Sequence, residues 1–258
     1  MTAPTVAERH ALACRLAREG GAAALAFWRD RAALTVEAKD NPQDVVSRAD
    51  RAVEAIIRAG IAAAFPRDAT LGEEGGASAG VSGFGWVIDP IDGTMPFLSG
   101  LSNWCVAVAV TEGAETVAAA TFAPVHAALY EAIRGGGARR DGAPLSLAGA
   151  PGLTARMTAI GASHRTDPAH VGETICRLMA AGGIFYRSGS GALMLAQVAG
   201  GALAAYYEPH MHPWDAIRGL LMVEEAGGRT LPFAPGGGPV LAAAPAAFGA
   251  LVAVTGHG

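Results

Sequence analysis

Hydrophobic positions recur at helical spacing through the first part of the chain. Val6, Leu12, Leu16 and Phe27 fall near one face of a helix that Gly20-Gly21 is expected to weaken in its middle. A second helix is better defined. Val53, Ile56, Ile57 and Ile61 form an apolar stripe, Ser47 with Asp50 resembles a capping box, and Pro66 ends the pattern. Beyond Phe65 the period shortens to two. Runs at 85–89, 104–111, 116–122 and 129–134, separated by turn residues, predict an antiparallel meander. From about Thr158 strands and helices alternate, with strands expected at 184–187, 202–207 and 239–243 and helices at 167–181, 190–198, 213–226 and 246–252. The pattern predicts a mixed α/β fold with helices packed on sheets. The expected organisation is one unit over residues 1–258, made of two closely packed halves. Residues 1–150 would carry the helical pair and the antiparallel sheet, and residues 151–258 the α/β half. The glycine-rich stretches 75–85, 135–142 and 236–238 are short enough to be loops.

Composition narrows the function classes. The chain has 51% hydrophobic residues and 35 glycines, but the longest apolar candidate, 240–254, is interrupted by Pro245 and Gly249. A spanning helix needs about 20 apolar residues, so no membrane span is predicted. The first residues lack the basic segment and apolar core of a secretory signal, which makes the cytoplasm the expected compartment. Acids outnumber bases by 23 to 19, which argues against a nucleic-acid partner. Cys14, Cys105 and Cys176 are widely separated and contain no CxxC, so buried thiols are expected rather than a disulfide framework or a thiolate metal site.

Candidate chemistry is concentrated in four places. Residues 86–94 read WVIDPIDGT: an apolar strand is expected to deliver Asp89 at its end, with Asp92-Gly93-Thr94 opening a helix. Two carboxylates and the Ile91 carbonyl there could converge on a hard cation such as Mg²⁺. The N–H groups of Gly93 and Thr94 could take an adjacent anion. The alternative is that Asp89 and Asp92 only cap the turn. Glu73-Glu74 follows an apolar run and precedes flexible glycines, and for an isolated acidic pair of this kind a solvated loop is the expected reading. Asp215 lies in the first turn of a helix carrying Ile217, Leu220, Leu221 and Val223, where an acid is also an ordinary dipole partner. His210 and His212 precede it, but a metal already surrounded by carboxylates does not need imidazole. The fourth piece runs from Lys39 through Asp44 to Asp50 and leads into the second helix.

Together these pieces resemble the inositol monophosphatase family of metal-dependent, lithium-sensitive sugar phosphatases. The resemblance rests on residues 39–50, which approximate K-x-N-P-x-D-x-V-T-x-x-D, on GEE at 72–74, on DPIDGT at 89–94, and on Trp214-Asp215 followed by EAGG at 225–228. It implies a layered α/β sandwich and a homodimer. By motif match, Glu73, Asp89, the Ile91 carbonyl, Asp92 and Asp215 would hold two or three Mg²⁺ ions. The phosphate would lie against Gly93 and Thr94. Thr94, paired with Asp44, and Glu73 would orient and deprotonate the attacking water, with Lys39 near that water. The substrate side would be formed by Ile91, Asp92, Gly93, Thr94, Gly189, Ser190, Gly191, Glu208 and Asp215.

The implied activity is hydrolysis of inositol 1-phosphate or a similar small phosphorylated metabolite. Glu208 could equally pair with an ammonium, which keeps histidinol phosphate as an alternative substrate. A catalytically silent binding or regulatory module of the same fold is the alternative from another class. The chain departs from the family's GT-x-N-F at Thr94-Met95-Pro96-Phe97, where Pro96 lacks both an N–H and an amide side chain. Phe84, Trp104, Arg165 and Arg187 are weaker pocket candidates, with core or surface roles expected for each. The basic residues comprise 18 arginines and one lysine, a bias that fits a GC-rich coding background and leaves Lys39 as the informative basic position.

Overall fold

The computed structural model describes residues 5–34, 36–38 and 45–257, with the backbone alone for 36–38 and for 45–46. Its helices are α1 (Val6–Arg29), α2 (Arg48–Ala64), α3 (Thr94–Leu98), α4 (Pro168–Ala180), α5 (Gly191–Ala199), α6 (Pro213–Glu225) and α7 (Pro245–Thr255). Strands β1 (Val36–Ala38) and β2 (Val45–Ser47) pair as an antiparallel hairpin. The large sheet contains β3 (Ala69–Gly72), β4 (Gly76–Ser78), β5 (Phe84–Asp92), β6 (Cys105–Glu112), β7 (Glu115–Ala123), β8 (Ala128–Ile133), β9 (Gly137–Arg140) and β10 (Ala143–Pro144). Their spatial order is β10-β9-β8-β7-β6-β5-β3-β4. The smaller sheet, ordered β12-β11-β13-β15-β14, contains β11 (Met157–Ile160), β12 (Ile184–Tyr186), β13 (Ala205–Met211), β14 (Arg229–Thr230) and β15 (Gly238–Ala243).

The expected meander is present as β5 through β8. The sheet is not wholly antiparallel, because β3 joins β5 in parallel across the connection that carries Glu73. Helices α1 and α2 cover one face of the large sheet, α5 and α6 lie between the two sheets, and α4 and α7 cover the far face of the smaller one. This layered α/β sandwich follows from side-chain size at alternating positions. Along β6, Val106, Val108 and Val110 face the cluster formed with α1 and α2, whereas Cys105 and Ala107 point the other way, toward Ala192 and Leu193 of α5. Successive strand residues face opposite sides, so valine on one face and alanine on the other set two different layer spacings.

The first helix departs from expectation. It runs without interruption through Gly20 and Gly21, both buried. A Cβ on Gly21 would lie 2.4 Å from Cδ1 of Phe122, and one on Gly20 would lie 3.1 Å from Cγ1 of Val53. These glycines let α1 approach the sheet and α2 closely. Thr5 and Ser47 cap α1 and α2 through reciprocal boxes with Glu8 and Asp50, as the pattern at Ser47 predicts. Among the described residues no helix is long and apolar enough to cross a membrane. Cys105 is buried as expected, whereas Cys14 is half-buried and Cys176 is exposed on the outer helix α4.

Candidate functional site

Asp89 does not end its strand. β5 continues to Asp92, and its register against β6 shifts: Asp89 pairs with Ala107 and Asp92 with Cys105. Three steps on one strand oppose two on the other, which is a β-bulge at Pro90-Ile91. In a regular strand, residues three apart point to opposite faces; the extra residue returns both carboxylates to one side. The chain then turns through Gly93, whose φ of +93° is left-handed. A Cβ there would sit 2.9 Å from the Asn103 carbonyl oxygen, so glycine is required by both conformation and space. Pro96 lies in the first turn of α3, where its missing N–H costs no helical bond, and is buried beside Gly189.

The third carboxylate comes from α6. Asp215 accepts the N–H of the capping residue His212 at 3.1 Å, which fixes the carboxylate at the helix start. Carboxylate oxygens of Asp89, Asp92 and Asp215 lie within 4.8 Å of one another. Among the described residues, neither His210 nor His212 joins that group; His212 instead stacks on Trp214 at 4.6 Å. Behind the cluster, Arg218 is fully buried and donates through Nη2 to Asp89 Oδ2 at 3.1 Å. Among the described residues, Asp89 Oδ1 and the Nε and Nη1 groups of Arg218 have no hydrogen-bond partner. Burial, then the negative charges of Asp92 and Glu73, push the Asp89 carboxyl well above its ordinary range, with Arg218 opposing them. Burial and Asp92 likewise push Asp215 up to about 6. Carboxylates this concentrated, with Asp89 Oδ1 left without a partner among the described residues, fit a hard divalent cation, because bound positive charge would relieve the repulsion.

Several neighbours orient these ligands. Asp92 Oδ2 accepts from Ser190 Oγ at 2.7 Å and from the Ala192 N–H at 2.6 Å, so Ser190 is buried and turned toward the carboxylate rather than toward a ligand. Glu73 lies in the turn between β3 and β4. Buried Glu54 of α2 braces that turn by accepting the N–H groups of Glu74 and Gly75 at 2.8 and 2.9 Å, and Arg58 holds Glu54 at 2.6 Å. Glu54 was not among the sequence candidates, since an acid beside Val53 on an amphipathic helix reads as its polar face. Thr94 Oγ1 contacts the Ile91 carbonyl at 3.2 Å and Asp50 Oδ1 at 3.4 Å. Asp44, its expected partner, and Lys39 lie outside the described residues.

A cavity of about 800 Å³ opens over Glu73, Gly93, Thr94, Gly189 and Asp215, with Arg165 and Arg187 on its wall. A smaller recess of about 160 Å³ joins Asp92, Asp215, Gly191 and Glu208. Arg165 and Arg187 therefore belong to the pocket, contrary to expectation. Phe84 does not: it lies under the Arg9 guanidinium at 3.8 Å, away from the site, and Trp104 is fully buried against Phe97. Glu208 accepts the Tyr206 hydroxyl, and burial pushes its carboxyl up to about 7.

The comparisons agree with this architecture. The chain is 36% identical over 203 residues to an inositol-1-monophosphatase of Rhizobium meliloti, covering 77% of this chain and 76% of that protein. It is 38% identical over 193 residues to the Nus factor SuhB of Xylella fastidiosa, covering 74% and 70% respectively. Among solved structures, the extragenic suppressor protein suhB of Bartonella henselae superimposes with a TM-score of 0.89 at 27% identity, covering 96% of this chain and 98% of that one. The family model of the inositol monophosphatases matches residues 6–253, nearly the whole length, and the chain belongs to the inositol monophosphatase family.

Proposed function

We propose that the chain is a Mg²⁺-dependent phosphomonoesterase that hydrolyses inositol 1-phosphate or a similar small polyol phosphate. The observation that carries this reading is the convergence of Asp89, Asp92 and Asp215 within 4.8 Å beside the large cavity. With Glu73 and the Ile91 carbonyl they would hold two or three Mg²⁺ ions. When bound, such ions polarise phosphoryl oxygens and lower the pKa of a coordinated water. Gly93 and Thr94 would receive the phosphate, with Arg165 and Arg187 adding positive charge at the wall. Thr94 and Glu73 would orient the attacking water and accept its proton, with Asp44 and Lys39 assigned to the same task. Glu208, in the adjoining recess, would accept hydrogen bonds from the leaving polyol, while Gly189 and Gly191 shape the loop beside it and Ser190 holds Asp92. The name of the Rhizobium relative supports the inositol phosphate assignment.

A second reading follows from the relatives named Nus factor SuhB: the same fold acting by association with a partner. The three converging carboxylates Asp89, Asp92 and Asp215 favour catalysis. Phosphate release from inositol 1-phosphate, histidinol phosphate, fructose 1,6-bisphosphate and phosphoadenosine phosphate, with and without Mg²⁺ and Li⁺, tests both. Inositol 1-phosphate is expected to turn over fastest, only with Mg²⁺, and to be inhibited by Li⁺. Asp92→Asn and Asp215→Asn are expected to abolish turnover. Silence across the panel would leave the association reading, and wild-type activity in either variant would refute the metal assignment.

A further inference from the structure

A second cluster of donor atoms lies on the opposite side of the large sheet. His10 and Cys14 are four residues apart on α1 and so share one face of the helix. Glu131 projects from β8 on the same side as Leu129, which packs in the core beneath α1. Three side chains from two elements therefore meet: His10 Nε2 is 3.4 Å from Cys14 Sγ and 3.5 Å from Glu131 Oε2, and Sγ is 3.0 Å from that same oxygen. All three are half-buried, so each keeps some contact with solvent.

We propose that His10, Cys14 and Glu131 form a metal site for a thiophilic divalent ion of the Zn²⁺ class, separate from the carboxylate cluster. Tetrahedral Zn²⁺ bonds of about 2.0–2.3 Å place ligand atoms roughly 3.4–3.6 Å apart. Two edges of the observed triangle already have that length, and the third needs to open by roughly half an ångström. The donor set of sulfur, imidazole nitrogen and carboxylate oxygen selects against Mg²⁺, which takes oxygen ligands, so the two sites would fill with different ions. Water would occupy the fourth position, as the partial exposure of all three ligands allows. On binding, the Cys14 thiol loses its proton to solvent, a sulfur–metal bond forms, and no electrons are exchanged. The ion would tie α1 to the fourth strand of the meander. This inference stands independently of the phosphatase reading, since none of the three residues lies in the cavity.

Titration of the metal-stripped full chain with Co²⁺, in excess Mg²⁺ to occupy the carboxylates, tests it. One equivalent is expected to produce a near-ultraviolet thiolate-to-cobalt charge-transfer band with the intense visible bands of tetrahedral Co²⁺. Cys14→Ser should abolish the charge-transfer band, and Cys105→Ser and Cys176→Ser should leave it intact. His10→Ala and Glu131→Gln should weaken binding while the fold, followed by circular dichroism, is retained. Absence of the band in the wild type, or its survival in Cys14→Ser, would overturn the assignment.

Discussion

Arg218 Nη2 lies 3.1 Å from Asp89 Oδ2, and both side chains are sealed from solvent. The guanidinium is a permanent cation built into the back of the carboxylate cluster. Breaking a buried pair leaves the other charge uncompensated, typically at a cost of about 3–5 kcal/mol. Arg218→Met is therefore expected to lower stability by that amount in EDTA, and by visibly less in saturating Mg²⁺, where added positive charge would replace part of what was lost. Arg218→Lys, which keeps the charge, should fall between. Urea unfolding of the three proteins with and without Mg²⁺ measures this, and an Arg218→Met loss that ignores Mg²⁺ would refute the compensating role.

Glu54 is buried and receives two backbone N–H groups from the turn that carries Glu73. Glu54→Gln keeps the shape but loses the charge facing Arg58, and places an amide donor among N–H groups. Buried hydrogen bonds to charged groups contribute about 1.5–3 kcal/mol, so a loss of stability of that order is expected. If the phosphatase reading holds, phosphate release should also fall and need more Mg²⁺ for half-maximal rate. Unchanged unfolding and unchanged Mg²⁺ dependence would remove Glu54 from the site's support.

How much of this was visible in the sequence depends on how local the cause is. The DPIDGT stretch and the capping box at Ser47 and Asp50 were legible because their determinants lie within a few residues. The bulge that puts Asp89 and Asp92 on one face was not, because it exists only as a register between β5 and β6. Arg218 was invisible for a similar reason: on α6 it reads as one polar residue, and only the fold brings Asp89 to it. Gly20-Gly21 was misread as a weak point because helix propensity says nothing about Phe122, a hundred residues away.

At the helical glycines two effects compete. Alanine in place of a helical glycine gains about 1 kcal/mol of propensity. At Gly172, also helical, a Cβ would meet nothing within 4 Å, so Gly172→Ala is expected to stabilise by roughly 0.5–1 kcal/mol. At Gly21 the same atom would sit 2.4 Å from Phe122 Cδ1, and forced overpacking costs about 1–3 kcal/mol. Gly21→Ala is therefore expected to be destabilising overall. Thermal unfolding of the two variants should shift in opposite directions; a shift upward in both would mean that α1 has room to move off the sheet.

The titration of the recess gives stability a definite pH dependence. Burial pushes Glu208 up to about 7 from 4.5, and pushes Asp215 up to about 6 from 3.8. As pH rises from 4, the unfolded chain releases these protons first while the folded chain keeps them. The favourable contribution is thus complete below the unfolded values and is lost as pH climbs through 6 and then 7. For Glu208 alone the loss amounts to roughly 3 kcal/mol. In EDTA the urea midpoint should therefore fall between pH 5 and pH 8, and Glu208→Gln, which cannot ionise, should flatten the slope. Mg²⁺ should flatten it as well, because a bound cation favours ionised Asp215. A midpoint that holds steady or rises across that window in EDTA would show that these carboxyls are not held protonated in the folded chain.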